Sequence, residues 1–345
     1  MRGDLTIGEI HEQPAALSRL LDGERGAILR LAAKLRRRPP SAVFLAARGT
    51  SDNAALYGHY LFETILGIPS GLASPSVVTI YRKTPRLRGM LVIGLSQSGR
   101  STDIVRYMEA ARGAGARTVA ITNDARSPLA TEAHETLLLH AGIERSVAAT
   151  KTYTVQLTVL SLLIAAIAGN RRLLDTHSRL PRLLERALRE EDAVRSLSRR
   201  LSDVHIVTAR GYNFATAREA ALKLKETAHI AAEALSSADL LHGPIAAVGP
   251  RFTVVLVAPP GAPQAHLVRV AQRLAATRAR IIAVTSNGGF SDTAHTVLHA
   301  PRAIPEVLTP HVYIVPLQLL AYWLALARGY DPDHPAGLRK ITRVL

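Results

Sequence analysis

The chain has 345 residues, 48% of them hydrophobic, 20% charged and 4% aromatic, enough apolar material for two domains of ordinary size and too much for a disordered chain. It has no cysteine, which excludes disulfides, thiolate metal sites and a cysteine nucleophile. A formal net charge of +16 favours anionic partners, but the scattered arginines and few aromatics argue against a nucleic-acid platform and for attraction of an anionic metabolite.

The start, Met1-Arg2-Gly3-Asp4, has no apolar stretch of a signal peptide, so a cytoplasmic protein is expected, with no membrane or nucleic-acid partner. A helical segment over residues 1–40 precedes the apolar run Ala42–Ala46, which reads as a strand. The turn Ala47-Arg48-Gly49-Thr50-Ser51 and a helical stretch from Asn53 to Leu66 follow. Leu91–Leu95 reads as a buried parallel strand, and Ser96, Gln97, Ser98, Gly99 and Ser101 form the turn at its carboxyl end. Thr102 or Asp103 is the expected cap of the next helix. Backbone N–H groups and hydroxyls at the positive end of a helix dipole make a cradle for an anion, and phosphate fits it best. An ordinary serine-rich helix cap reads the same way. The turn is neither a P-loop nor a dinucleotide fingerprint.

A further strand is expected at Val119–Thr122, and Tyr153–Ala168 reads as a buried apolar helix. Leu180–Leu201 reads as one charged amphipathic helix joining two halves. The pattern then starts again. His205–Thr208, a Gly211 turn and a helix to His229 are followed by a strand Thr253–Val257, a strand at Ile282–Thr285 and an apolar helix Val312–Ala327. Gly49 and Ser96 are 47 residues apart, as are Gly211 and Ala258. This register predicts two copies of one α/β unit, each a mainly parallel sheet with helices on both faces. In the second copy Ala258-Pro259-Pro260-Gly261 stands where the first has its hydroxyl turn, and prolines bring no N–H. One phosphate site per chain follows, on the first copy, and Gly49, Thr50 and Ser51 are expected to line it. No metal or cofactor is expected.

Glu219, Lys223 and Glu226 lie three and four apart on the first helix of the second copy, a spacing that also describes a solvated helix face. His242 precedes Gly243-Pro244 in a constrained turn, where it is either an acid–base group or a structural histidine.

Taken together, Gly49-Thr50-Ser51, Ser96-Gln97-Ser98-Gly99, Ala149-Thr150-Lys151, Ala221-Leu222-Lys223-Leu224-Lys225-Glu226, His242-Gly243-Pro244 and Gly337-Leu338-Arg339-Lys340 resemble the tandem sugar isomerase (SIS) domain family. Within it, the chain is similar to the isomerase portion of glutamine–fructose-6-phosphate aminotransferase and to stand-alone SIS-type glucosamine-6-phosphate deaminases. The resemblance implies a three-layer αβα fold used twice, with SIS domains at 41–170 and 203–330. A helical linker spans 171–202, and a tail at 331–345 closes the active site. It implies that Ser96, Gln97, Ser98, Ser101 and Thr50 hold a sugar phosphate, with Glu144 and Lys223 as further polar groups of the pocket. Glu226 would move a proton between C1 and C2, His242 from a neighbouring subunit would assist ring opening, and Lys340 would form or assist an imine. A homodimer is therefore expected. Arg100, Ala149 and Leu241 depart from the family pattern near the substrate, and the tail Ile341–Leu345 differs from that of the synthase. With no cysteine for a glutaminase, glucosamine-6-phosphate deamination is the leading expectation. Action on another phosphorylated amino sugar or fructosamine comes second, and a sugar-phosphate-binding regulator third.

Overall fold

The computed structural model describes residues 2–340, so the tail Ile341–Leu345 lies outside the described residues. The chain folds as two compact units. The first comprises residues 12–144, 151–181 and 339–340; the second comprises 2–11, 145–150 and 182–338.

The first unit is built on β1 (Val43–Ala46), β2 (Ser70–Leu72), β3 (Leu91–Leu95), β4 (Arg117–Thr122) and β5 (Glu135–Leu138). They pair in the order β2-β1-β3-β4-β5, all parallel. Every residue of β3 is buried, as expected of a central strand covered on both faces. One face packs Val92 and Ala120 against Ile104, Tyr107, Met108 and Ala111 of the helix Thr102–Gly113. The helix Lys151–Ile167 is buried over nearly its whole length. It packs on the helices Gln13–Arg37 and Thr50–Leu66, which explains an apolar sequence with no polar face.

The second unit repeats this plan with β6 (Ile206–Ala209), β7 (Glu233–Ser236), β8 (Thr253–Val257), β9 (Arg280–Thr285) and β10 (Thr296–His299). The order is β10-β9-β8-β6-β7, again all parallel. Read from β7, this is the order of the first sheet, so the duplication seen in the sequence is a duplication of topology. The segment Glu306–Ala327 is long and apolar enough to cross a bilayer, yet 83% of its most apolar window is buried. The helix Thr309–Ala327 packs on the helix Phe214–Ala228 and is a core element of its unit.

Three local expectations change. The helix after β1 begins at Thr50, because Gly49 already turns the chain into its first turn. The residue preceding the helix Thr102–Gly113 is Ser101, and its side chain makes no capping bond. Asp103 does not cap from outside: it lies within the first turn, accepting from Ile104 N at 2.9 Å. The charged stretch Leu180–Leu201 is two helices, Leu180–Leu188 and Glu191–Ser198. Tight turn bonds from Arg189 N to Arg186 O and from Glu190 N to Ala187 O end the first one.

Candidate functional site

In the first sheet the strand order reverses between β1 and β3, which are paired up to Ala46 and Gly94. Ligands of open parallel sheets bind beyond the carboxyl ends of the strands at such a reversal. The turns that leave β1 and β3 there are the two hydroxyl-bearing turns, Gly49–Ser51 and Ser96–Ser101.

The second turn is held from below. Ser96 N donates to Ile121 O at 3.1 Å, and Gln97 O accepts from Asn123 N at 3.0 Å. Gly99 N donates to Ser96 O and to Ser96 Oγ, both at 3.2 Å. Ser96 Oγ and Ser101 Oγ are 3.2 Å apart. Among the described residues nothing accepts from the N–H groups of Gln97 and Ser98. These donors lie beside the start of the helix Thr102–Gly113, where the dipole favours negative charge. Gly99 has φ +62°, and a Cβ there would fall 2.1 Å from Ser127 Oγ. Only glycine lets the turn close this tightly.

A link across the reversal was not legible in the sequence. Arg48 Nε donates to the buried Asp103 carboxylate at 2.7 Å, tying the turn after β1 to the helix after β3. A cation before Gly49 and an acid seven residues after Ser96 are the only signals of it. Thr50 opens its helix after Gly49, whose φ of +55° and ψ of −130° suit glycine. Ser51 is buried and its Oγ accepts from Gln156 Nε2 at 2.9 Å, which ties that helix to Lys151–Ile167. Arg100, a departure from the family pattern, reaches Asp124 Oδ2 at 3.2 Å. The Arg126 N–H and the Arg100 guanidinium hold the Asp124 carboxyl below the usual carboxylate range.

Glu144 is also in the first unit. Its side chain is buried and accepts from Thr152 N at 3.2 Å, Thr152 Oγ1 at 2.9 Å and Lys340 Nζ at 3.2 Å. The structure therefore brings two of the expected residues, Glu144 and Lys340, together as an ion pair. The loop carrying Glu144 is fixed by the buried Lys151, whose Nζ donates to Ile143 O at 2.7 Å and pairs with Glu12 Oε2 at 2.5 Å. Burial raises the Glu12 carboxyl, and Lys151 and Arg19 outweigh that to hold it below its usual range.

In the second unit Glu219, Lys223 and Glu226 form a triad on the helix Phe214–Ala228. Lys223 is buried between a fully buried Glu219, 3.6 Å away, and Glu226 Oε2, to which it donates a hydrogen bond. The solvated-face reading therefore fails for the first two. Glu226 alone keeps 23% side-chain exposure, and its Oε1 has no partner among the described residues. It lines a cavity of about 420 Å³ with His229, Ile230, Ala336 and Leu338. His242 is exposed at the end of the helix Ser237–Leu241, and Gly243 after it has φ +147°, a conformation that only glycine adopts readily. No pairing joins His242 to Glu226 among the described residues.

A family model described as the SIS domain matches residues 38–166 and 203–328. The chain is 37% identical to a glutamine–fructose-6-phosphate aminotransferase from Methanothermobacter thermautotrophicus, over 98% of this chain and 57% of that protein. It is 36% identical to the same enzyme from Thermococcus kodakarensis, covering 58% of it. The chain thus spans under two thirds of the length of these relatives. Among solved structures, a candidate phosphosugar isomerase from Silicibacter pomeroyi matches with TM-score 0.89 at 37% identity, over 96% of this chain and all of that one. The C-terminal domain of glucosamine-fructose-6-phosphate aminotransferase from Francisella tularensis matches with TM-score 0.86 at 26% identity, over 95% and 97%.

Proposed function

The chain belongs to the SIS domain family, with two copies of the domain in tandem, and from that membership we propose that it is an amino-sugar-phosphate deaminase. The substrate is glucosamine 6-phosphate, and the products are fructose 6-phosphate and ammonia. The observation that carries the reading is the turn Ser96–Ser101, with N–H groups and hydroxyls gathered at a helix start on the strand-order reversal of the first sheet.

In this reading the turn and Thr50 grip the phosphate, and that grip orients the reacting carbons. Lys223 occupies one oxygen of Glu226, and the other removes the proton from C2 of the open-chain sugar and returns it to C1. The C1 aldehyde becomes an alcohol and the C2 amine becomes an imine. Water adds to that imine and ammonia leaves. The balance is sugar plus water giving ketose plus ammonia, and the reaction calls on nothing else. Lys340, paired with Glu144, supplies a cation to the developing negative charge or an amine to the ketose. His242 assists ring opening, and its exposure suits donation to the site of a second copy of the chain in a homodimer.

The test is release of ammonia from glucosamine 6-phosphate. The wild-type chain is expected to release it, with Glu226→Gln reduced at least 10²-fold as for loss of a general base. No release above that variant removes the proposal. Consumption of a fructosamine 6-phosphate instead moves the activity to that substrate.

A further inference from the structure

The second unit has the same strand order as the first and therefore the same reversal, between β6 and β8. The equivalence extends to single bonds. Ala258 N donates to Val284 O as Ser96 N donates to Ile121 O, and Ala300 N donates to Thr285 O as Leu139 N donates to Thr122 O. The turn after β8 has lost its hydroxyls, and its two prolines bring no donors. The crevice nevertheless holds an anion. Glu306 is half-buried, and its Oε2 accepts from Ala262 N at 2.8 Å. A Cβ on Gly261, at φ +119°, would fall 2.2 Å from that oxygen, and a Cβ on Gly211, in the turn after β6, would lie 3.8 Å from Oε1. The carboxylate therefore stands between the two turns that flank the reversal.

Glu306 stands near the place in its copy that Glu144 has in the first. Glu144 lies five residues after Leu139, and Glu306 lies six after the equivalent Ala300. Both glutamates precede the long apolar helix of their copy. In the first unit this glutamate is held by Thr152 and Lys340. In the second it is turned into the crevice.

We propose that Glu306 is the chain's own substitute for a bound anion, closing a latent phosphate-type site in the second unit. It explains why a duplicated fold keeps one phosphate site per chain, and it rests on the phosphate reading of the Ser96–Ser101 turn. The Ala262 N–H engages a carboxylate that is part of the fold, so a free anion must displace it to enter.

The test is the stoichiometry of inorganic phosphate by equilibrium dialysis. Wild type is expected to hold one phosphate per chain and Glu306→Ala two. Ser96→Ala/Ser98→Ala is expected to hold none, and the same pair combined with Glu306→Ala one. If that serine pair leaves wild-type binding unchanged, the reading of the first turn falls, while a gain on Glu306→Ala still supports the plug. If Glu306→Ala does not fold, Glu306→Ser withdraws the carboxylate while keeping a small polar side chain, and the same gain is expected. A folded Glu306→Ala or Glu306→Ser that holds no more phosphate than wild type overturns the proposal.

Discussion

Replacing Gly99 by alanine tests whether the phosphate turn is shaped by packing beneath it. At φ +62° an alanine meets the left-handed cost of about 1–2 kcal/mol. Its Cβ would also fall 2.1 Å from Ser127 Oγ, 2.4 Å from Ser127 Cβ and 2.8 Å from Thr122 Oγ1. Such overpacking adds about 1–3 kcal/mol, for a total of about 2–5 kcal/mol. Gly49→Ala is the internal control. Its φ is +55° but nothing among the described residues lies within 4 Å of the added carbon, so only backbone strain of about 1–3 kcal/mol applies. Ser127→Gly removes the two nearest of these three atoms and leaves the Thr122 hydroxyl. It also removes the bond from Ala130 N that caps the helix Pro128–Glu132, a loss of about 1 kcal/mol. The double variant should therefore be more stable than the two single losses add up to, with a coupling of about 1–3 kcal/mol. Urea unfolding followed by circular dichroism reads all four proteins, provided the slope stays constant. Gly99→Ala should also lose phosphate binding. Strict additivity in the double variant refutes the packing argument.

Other outcomes follow from other contacts. His177 Nδ1 faces Leu173 O at 2.7 Å and Nε2 faces Ser161 Oγ at 2.9 Å, and burial pushes its pKa from 6.5 down to about 4. The unfolded imidazole gains its proton below about pH 6.5 and the folded one only near pH 4. Stability should therefore fall by up to about 3 kcal/mol across that window as pH drops; a titration of unfolding free energy that is no shallower in His177→Gln contradicts this. Lys223→Met strands the buried Glu219 carboxylate and should cost about 3–5 kcal/mol, with Glu219→Gln/Lys223→Met recovering part of it in thermal melts. Asp333 accepts from Leu5 N at 3.1 Å, Thr6 N at 2.7 Å and Thr6 Oγ1 at 2.8 Å. Asp333→Ala should loosen the helix Asp4–His11, costing about 1–3 kcal/mol and read as faster hydrogen exchange at residues 5 and 6.

The repeat carried much of the fold. Leu91–Leu95 and Thr253–Val257 are strands over the residues their unbroken apolar runs predict, because central parallel strands have no polar face to blur the pattern. Boundaries set by turn chemistry were harder. Gly49 starts its helix three residues early through a backbone conformation that a residue string does not display. The break at Arg189–Glu190 has no proline or glycine to announce it. In the site, the hydroxyl turn was legible because the chemistry and the loop coincide in sequence. The Arg48–Asp103 pair, the Lys151–Glu12 anchor and the Glu306 carboxylate were not, since each joins residues that only the strand order brings together.

The phosphate turn is most directly tested by a crystal structure of the chain with glucosamine 6-phosphate. The phosphate is expected against the N–H groups of Gln97 and Ser98, within hydrogen-bond distance of Ser96, Ser98 or Ser101 hydroxyls. A sugar whose phosphate lies elsewhere, with the Ser96–Ser101 turn left empty, contradicts the account.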